Sequence, residues 1–344
     1  MKDFTLQKHR PKFQKRWNRS FVFDNLRAYK YRHIIVCIVT ILSIFWKILL
    51  IIERFKTKYV AKRYKASICA IFKDESLGLK EWIEYHKLIG IEHLYLYNNN
   101  STDDSEKIIK PYVDEGYVTL VPWNFAPPQQ CAAYQHFSDN FWNETNWVAF
   151  IDIDEYICPK QVLDIKDWLR KYEGYPCVTM FWKVFGSNGL IEHNRSKLII
   201  EQYTLAWDKY SGVGKPFFNT RFKAEKSSLK NIHLLPAIFK LGKIHFLIPP
   251  INECGKFLKY ECNRLSWRQH DFSVQLNHYS TKSYMEFFVT RRKRGDVNSF
   301  KMNASIRGYI YTQSFATKAD YSIYRFLPFL KIRMNENINN YIDE

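Results

Sequence analysis

Four short apolar segments alternate with segments of helical periodicity in the first half of the chain that follows Lys65. The apolar segments cover residues 67–72, 93–97, 117–121 and 147–151. Strands that alternate with helices in this way form a mostly parallel sheet, since each helix carries the chain back to the edge where the next strand starts. We therefore predict an α/β fold, with a Rossmann-like parallel or mixed sheet and helices on both of its faces.

Polar residues follow three of the four predicted strands. They are Lys73-Asp74-Glu75 after the first strand, Asn98 to Asp103 after the second, and Asp152-Ile153-Asp154-Glu155 after the fourth. The carboxyl ends of parallel strands meet at one edge of the sheet, which is where ligands bind in such folds. Any one of these segments is also typical of a solvated turn. Three of them at a single edge favour a binding site.

The pair Asp152 and Asp154 ends the most apolar of these strands. Residues two apart on an extended chain face the same side, and paired carboxylates suit a hard divalent cation that also binds phosphate oxygens. The chain has no glycine-rich phosphate loop of the GxGxxG or GxxxxGK[ST] type. The pattern therefore predicts a metal-assisted diphosphate site. An acidic strand end that only solvates the sheet is the alternative.

The basic charge of the chain is concentrated at its N-terminus. The net charge is +18, and residues 1–65 hold 17 Lys and Arg against 3 Asp and Glu. The remaining residues carry a net charge of only +4. A protein that binds nucleic acid through its folded domain would spread basic residues over that domain. We therefore expect no nucleic-acid partner.

A 19-residue apolar segment, residues 34–52, lies between a basic tail (1–33) and a basic linker (53–65). It is long enough to span a bilayer, and we predict a transmembrane helix there. A buried core helix and a helix lying in the membrane interface are the alternatives. Both flanks are basic, so the positive-inside rule does not choose an orientation. Seven scattered cysteines without CxxC spacing favour a reducing compartment. We expect the domain to face the cytoplasm, with a lumenal orientation as the alternative.

Several segments together resemble glycosyltransferase family 92. They are Cys69–Glu75, Leu79–Gly90, Leu96–Asp103, Trp147–Glu155, Phe185–Gly189, and Leu276–Ser283 followed by Arg294-Gly295. The resemblance implies a GT-A-like domain over residues 66–300, with a C-terminal extension (301–344) that packs on it. Asp74 departs from the family pattern, which usually has Asn at that position.

The resemblance also implies an activity and a set of site residues. The activity is metal-dependent transfer of a sugar, with inversion, from a nucleotide-sugar such as a UDP-hexose to a hydroxyl of a glycan or glycolipid. Mn²⁺ or Mg²⁺ would be held by Asp152, Asp154 and His278, with Asp154 as the direct ligand and Asp152 nearer the ribose or a metal-bound water. A lone histidine such as His278 is otherwise more typical of a structural residue.

Further residues are expected to bind the nucleotide or to act as the base. Asp74, Glu75, Asn98 and Asp103 would line the base and ribose pocket, and Lys282, Arg291 and Arg294 would neutralise the diphosphate. A solvated basic face is the alternative for these three cations. Glu201 is the predicted catalytic base, with Glu192, Asp208, Glu225 and Glu253 as other carboxylates of the acceptor-side region.

Two other functional classes remain open at this point. A phosphotransferase or nucleotidyltransferase on the same sheet would need more acidic ligands for a second metal, and none occurs at a clear spacing. A non-catalytic membrane protein that binds nucleotide-sugars or glycans would be expected to have lost the aspartate pair.

Overall fold

The computed structural model describes residues 32–57, 59–126, 129–211, 214–224, 232–258, 271–291 and 306–335. Its strands are β1 Tyr64–Phe72, β2 His93–Asn98, β3 Val118–Pro122, β4 Thr145–Phe150, β5 Glu155–Pro159, β6 Cys177–Val184, β7 Leu205–Trp207, β8 Gly214–Asn219, β9 Ala237–Leu241, β10 Ile244–Ile248, β11 Val274–His278 and β12 Ala316–Ala319. The α-helices are α1 Arg32–Lys56, α2 Ser76–Leu88, α3 Ser105–Asp114, α4 Gln130–Asn140, α5 Ile165–Leu169, α6 Ile199–Gln202, α7 Ile306–Phe315 and α8 Leu327–Met334. Short 3₁₀ segments occupy Arg170–Tyr172, Ile232–Leu234 and Ser322–Phe326, and Glu286–Thr290 forms a π-helix.

An eight-stranded mixed sheet lies at the centre, in the order β3-β2-β1-β4-β8-β6-β11-β5. Its first four strands run parallel to one another, as the sequence predicted. β8 is antiparallel to both β4 and β6. β11 is parallel to β6 and antiparallel to β5. The predicted α/β class with a mixed sheet is therefore confirmed.

The register of β11 determines which residues meet at the functional edge. His278 pairs with Val184 of β6 on one side and with Glu155 of β5 on the other. Glu155 directly follows Asp154 in the chain. The last residue of β11 is therefore beside the acidic segment that follows β4.

Helix α2 covers the sheet with the apolar face that its periodicity predicts. Leu79, Trp82 and Ile83 are fully buried in the core. The Trp82 indole N–H donates to the carbonyl of Glu155 at 2.8 Å, and the Tyr85 hydroxyl donates to the carbonyl of Ile157 at 2.8 Å. The helix thus holds the start of β5, and with it the end of the acidic segment, in place.

Helix α1 contains the predicted apolar segment 34–52 and packs on the domain through Trp46, Leu49 and Leu50, which are buried. Within the part of the chain that the structure describes, no helix is long and apolar enough to cross a membrane, and the predicted span is not confirmed. Residues 1–31 of the basic tail lie outside the described residues.

The described part of the C-terminal extension contacts the domain through strand pairing, helix packing and side-chain hydrogen bonds such as that from Ser187 N–H to Gln313 Oε1. Strand β12 pairs with β7. Helix α8 packs against α2, where Arg333 Nη1 lies 3.5 Å from Glu84 Oε2. The division of the chain into a domain 66–300 and an extension 301–344 stays a prediction.

Candidate functional site

A cavity of about 510 Å³ opens where the segments that follow β1, β4 and β11 meet. Six of the residues singled out from the sequence line it: Asp74, Glu75, Asp103, Asp154, Lys282 and Arg291. The cavity lies beyond the carboxyl ends of the parallel strands, as expected for this class of sheet. Its lining combines carboxylates with cations, which suits a ligand that carries both hydroxyl and phosphate groups.

Asp154 is the buried carboxylate at the base of this cavity. Its Oδ1 lies 3.6 Å from His278 Nε2 and its Oδ2 lies 3.8 Å from Arg291 Nη1. Burial alone would raise the pKa of Asp154, but the positive charges around it hold the pKa well below its usual range: His278 contributes when it is protonated, and Arg291, Lys282 and Lys215 contribute at neutral pH as well. Asp154 is therefore ionised at neutral pH and has the charge that a metal ligand requires.

His278 faces Asp154 as a neutral imidazole. Burial lowers its pKa from the ordinary value of 6.5, and the charge of Asp154 only partly opposes this. The ring packs on the indole of Trp182, with centroids 4.6 Å apart. A neutral imidazole nitrogen is a good ligand for divalent ions, and the contact with Trp182 restrains the orientation of the ring.

Asp152 is held by two protein donors. Gln130 Nε2 donates to its Oδ1 at 2.9 Å, and Lys215 Nζ donates to its Oδ2 at 2.6 Å. Both oxygens of Asp152 therefore accept a hydrogen bond, whereas the side-chain partners of Asp154 lie further away, at 3.6 Å and 3.8 Å. The role of Asp154 as the direct metal ligand stays a prediction.

Lys215 forms a buried charge cluster with two acids beneath the cavity. Besides Asp152, its Nζ pairs with Glu155 Oε2 at 2.9 Å. Glu155 also accepts the Trp182 indole N–H at 2.8 Å and the backbone N–H of Asp152 at 2.9 Å. Burial lowers the pKa of Lys215, but the two carboxylates outweigh it and raise the pKa above the ordinary value. Lys215 is therefore charged.

The structure brings together part of the predicted set of metal ligands, Asp152, Asp154 and His278. Among the described residues, no group of three or more His, Cys, Asp or Glu side chains is close enough to hold a metal ion. Asp154 lines the cavity, and His278, which like Asp152 is outside the lining, lies 3.6 Å from it, so that one carboxylate and one imidazole meet at the cavity base. That donor pair fits an ion such as Mn²⁺ that takes its remaining ligands from substrate oxygens and water.

The loops that follow β1 and β2 are tied together by Asp74 and Asp103. Asp74 Oδ1 accepts the backbone N–H groups of Thr102 (2.5 Å) and Asp103 (3.3 Å). Asp103 in turn accepts the N–H of Ser76 at 2.8 Å and the N–H of Ser105 at 3.1 Å. Asp74 has a φ of 49°, a conformation that Asn and Asp tolerate better than most residues. These bonds make one wall of the cavity rigid.

Asn98 is buried in the same loop, but it is not part of the cavity lining. Its Nδ2 donates to Glu106 at 2.6 Å, and its Oδ1 accepts the N–H of Ser101 at 2.9 Å. In this structure the side chain shapes the loop that follows β2. Its predicted role in nucleotide binding stays a prediction.

Two of the three predicted cations lie at the cavity. Lys282 Nζ is 3.5 Å from Glu75 Oε2, and Arg291 donates to the carbonyl of Ser280 at 2.6 Å. Arg294 lies outside the described residues. The two cations therefore border the same cavity as Asp154.

The predicted base Glu201 is not among the described residues that line the cavity. It pairs with Lys331 at 2.8 Å on the surface. Glu192, Asp208 and Glu253 are not in the lining either, and Glu225 lies outside the described residues. The lining carboxylates that the sequence analysis did not single out are Glu81, Asp104 and Glu286. The identity of the base stays a prediction.

Lys215 and Gln130 were missed from the sequence. The local sequence of Lys215 shows only that it precedes the apolar run Pro216-Phe217-Phe218, and the structure adds that every residue of Gly214–Asn219 is buried. A lysine at such a position requires a paired acid. No comparable signal existed for Gln130, whose partner Asp152 is 22 residues away along the chain.

The mixed sheet and its cavity define an α/β protein with carboxylates and cations at the carboxyl ends of its parallel strands. A family model described as Glycosyltransferase family 92 matches residues 62–246, which is more than half of the chain. The chain belongs to glycosyltransferase family 92, and the predicted family and the α/β class with a mixed sheet are confirmed.

Curated relatives support the family assignment. A glycosyltransferase family 92 protein of Oryza sativa subsp. japonica is 29% identical over 126 residues, which is 36% of this chain and 21% of that protein. One of Arabidopsis thaliana is 27% identical over 154 residues, 44% of this chain and 22% of that protein. The matched part of the chain spans about a fifth of the length of these relatives.

Solved structures of lower similarity overlap with part of the chain. S. aureus TarS 1–349 in complex with UDP has a TM-score of 0.29 and 16% identity, covering 38% of each chain. Glucosyl-3-phosphoglycerate synthase of Mycobacterium tuberculosis, in complex with Mn²⁺, UDP and glucosyl-3-phosphoglycerate, has a TM-score of 0.24 and 17% identity. The latter match covers 35% of this chain and 44% of that chain.

Proposed function

We propose that this chain is a metal-dependent glycosyltransferase that moves a hexose from a UDP-sugar to a hydroxyl of a glycan or glycolipid, with inversion. The observation that carries the proposal is the meeting of Asp154 with His278 at the base of the cavity, with Arg291 and Lys282 on its walls. One ionised carboxylate, one neutral imidazole and two cations together suit a metal-bound diphosphate.

In this proposal Asp154 and His278 hold the Mn²⁺ or Mg²⁺ ion. When bound, the ion stabilises the negative charge that the diphosphate gains as the sugar leaves. Asp154 is ionised without rearrangement, because neighbouring cations already lower its pKa. His278 is neutral and keeps its Nε2 towards Asp154.

Lys282 and Arg291 bind the diphosphate oxygens. Lys282 is 3.5 Å from Glu75, and Arg291 is 3.8 Å from Asp154. Both distances exceed those of charge-assisted hydrogen bonds, which are about 2.7–2.9 Å. A bound diphosphate therefore does not have to break a short ion pair in order to reach either cation.

The nucleoside is proposed to lie between Asp152 and the loops that follow β1 and β2. Each oxygen of Asp152 accepts one protein donor and retains further acceptor capacity, which a ribose hydroxyl can use. Glu75 and Asp103 line the same cavity and can accept from the uracil N–H. The preference for UDP rests on these acceptors together with the family.

The proposed transfer forms a bond between the acceptor oxygen and the anomeric carbon while the bond from that carbon to the diphosphate oxygen breaks. The electron pair of the broken bond leaves with UDP, and the hydroxyl proton passes to a carboxylate base. Attack from the face opposite the leaving group gives inversion. Glu201 remains the predicted base, and Glu286 is a second carboxylate to test because it lines the cavity.

The proposal can be tested by isothermal titration of the full chain with UDP, in the presence of Mn²⁺ and in the presence of EDTA. We expect Mn²⁺ to increase the affinity for UDP at least tenfold, a change of about 1.4 kcal/mol. Asp154→Asn and His278→Ala should remove most of that increase. Asp114→Asn is the matched control, because Asp114 is a surface residue paired with Lys110.

Transfer itself needs a separate measurement with a panel of UDP-hexoses. Release of UDP from one of them by the wild type, lost in Asp154→Asn, supports the enzyme. Mn²⁺-dependent binding of UDP without turnover of any donor, with or without acceptor glycans, would instead support a non-catalytic binding protein. Equal UDP affinity in Mn²⁺ and in EDTA would overturn the metal site.

A further inference from the structure

Helix α1 exposes a continuous apolar stripe on the side that faces away from the domain. Trp46 and Leu50 are buried. The residues on the other side of the helix remain accessible, and they follow one another at alternating spacings of four and three. The accessible residues are Ile34, Ile38, Ile41, Phe45, Ile48, Ile52 and Phe55. A helix that packs on its own domain through one face does not need a second apolar face. This stripe therefore indicates a second contact, outside the chain's own core.

The hairpin of β9 and β10 continues the stripe. The Phe45 ring contacts the Phe246 ring, with centroids 5.4 Å apart. Leu241 and Ile244 form the last pair of the hairpin, and 58% of each residue is exposed. Leu241 and Ile244 are on the same face of the two-stranded sheet as Phe246. Ile244 is two residues from Phe246, and Leu241 is two residues from Phe239, which pairs with Phe246. We call the apolar stripe of α1 together with Leu241 and Ile244 the helix–hairpin surface.

The charges around the helix–hairpin surface are almost all positive. Lys47 and Lys56 lie on α1, Lys240 and Lys243 lie on the hairpin, and Glu53 is the only acid within residues 32–56. Residues 237–248 contain no acid. The sequence that precedes the helix, residues 1–31, adds nine Lys and Arg against two Asp. An apolar face surrounded by basic residues matches the interface of an anionic bilayer in both polarity and charge.

A second copy of this chain would be a poorer occupant. The spacing of the stripe suits a coiled coil, but the flanking positions offer Lys47 and Lys56 without complementary acids beyond Glu53. Two copies would bring the basic hairpins and basic tails together, and like charges in an interface are unfavourable. The same residues are attracted to a negatively charged lipid surface.

We propose that the helix–hairpin surface docks on an anionic membrane, with α1 lying in the plane of the interface and the tip of the hairpin inserted beside it. The proposal rests on the exposure and charge of this surface and does not depend on the proposed sugar transfer. It orients the domain on the membrane, because α1 contacts the domain near the start of β6, the end of that strand away from the cavity. Arg54 Nε donates to the carbonyl of Gly174 at 2.6 Å, just before the start of β6.

The docking surface and the cavity are therefore at opposite ends of β6. His278 pairs with Val184 at one end, and Cys177 begins the strand at the other. Seven residues at the rise of a strand span about 23 Å. Substitutions on the helix–hairpin surface should leave the binding of soluble UDP unchanged.

The test is flotation of the full chain with phosphatidylcholine vesicles that either contain or lack phosphatidylglycerol. We expect the chain to float with the anionic vesicles. The double variant Leu241→Ser, Ile244→Ser should bind them at least tenfold more weakly, because two half-exposed apolar side chains no longer leave water. The matched control is Leu163→Ser, since Leu163 is 65% exposed and lies on the loop that follows β5, outside the helix–hairpin surface. It should bind as the wild type does.

Three outcomes would overturn the proposal. The first is a folded wild-type chain that does not float with anionic vesicles. The second is equal binding by the hairpin variant and the wild type, because the basic tail alone would then carry the attraction. The third is a dimer of the wild type in solution, by sedimentation, that the hairpin variant loses, because the surface would then belong to a second copy. Near-ultraviolet circular dichroism of each variant checks its fold.

Discussion

The buried cluster beneath the cavity makes a strong prediction about Lys215→Met. The lysine is 1% exposed and pairs with Asp152 at 2.6 Å and with Glu155 at 2.9 Å. Methionine nearly matches its length and removes the charge, so the packing is largely kept and two acids lose their counter-charge. Removing one partner of a buried pair typically costs 3–5 kcal/mol. The Asp152 side chain is 37% exposed and can regain water, which places the expected loss at the lower limit, about 3 kcal/mol.

Guanidinium unfolding of the full chain at pH 7, followed by tryptophan fluorescence, measures this loss. The double variant Lys215→Met, Glu155→Gln should lose about 1 to 2 kcal/mol less than the single variant, because glutamine needs neither a counter-charge nor a bound proton in the buried cluster. The control is Lys110→Met, whose partner Asp114 is also exposed on helix α3. It should change the free energy of unfolding by less than about 0.5 kcal/mol.

The pH dependence gives an independent check of the same cluster. Burial and the two neighbouring aspartates raise the pKa of Glu155, and Lys215 opposes this. Without the lysine the pKa of Glu155 rises further. A raised carboxyl pKa stabilises the folded state at low pH and loses that contribution as the pH rises. The loss caused by Lys215→Met should therefore be smaller at pH 5 than at pH 8. A loss below about 1 kcal/mol at pH 8 would refute the charge pairing inferred from the structure.

Three further predictions concern Glu81, Gly214 and Trp182. Burial raises the pKa of Glu81 to about 7 in spite of two backbone N–H donors, so about 3 kcal/mol of stabilisation from this group should be lost between pH 4.5 and 7. The difference in unfolding free energy between wild type and Glu81→Gln should follow that change with pH. A difference that does not depend on pH would contradict the prediction. Gly214→Ala should destabilise the chain by at least about 2 kcal/mol in thermal and chemical unfolding, because the added Cβ would overlap the Met180 carbonyl oxygen. A neutral effect would show that β6 and β8 can move apart at this position. Trp182→Phe removes the hydrogen-bond donor to Glu155 and reduces the contact with His278. The affinity for UDP in Mn²⁺ should therefore fall several-fold, while the affinity for UDP in EDTA stays the same. An equal fall of both affinities would assign Trp182 to nucleotide binding instead.

Local pattern was sufficient to place the parallel half of the sheet. The segments predicted from alternation, 67–72 and 147–151, correspond to β1 (Tyr64–Phe72) and β4 (Thr145–Phe150) within a few residues. Both are apolar runs bounded by polar residues, and both are buried along nearly their whole length. β1, β2 and β3 pair in chain order, whereas β4 returns to the other side of β1.

The strand order in the other half of the sheet could not be predicted from the local sequence pattern. Strand β8, Gly214–Asn219, inserts between β4 and β6, and β11 lies between β6 and β5. These pairings join segments that are far apart in the chain, and no local periodicity encodes which distant strand becomes a neighbour. For that reason Lys215 was missed although it contacts Asp152, and Glu201 was expected near the cavity although it pairs with Lys331 on the surface.

By itself the sequence determined the α/β class, the acidic end of β4 and the family, because strand periodicity, carboxylate spacing and motif order are all properties of the linear chain. Only the tertiary structure decided which side chains each of the two aspartates contacts. Asp152 is bound by Gln130 and Lys215, whereas Asp154 turns to His278, which lies 124 residues further along the chain. The physical reason is the register of β11 between β5 and β6, which sets His278 beside Glu155 and thereby gives the second aspartate its imidazole partner.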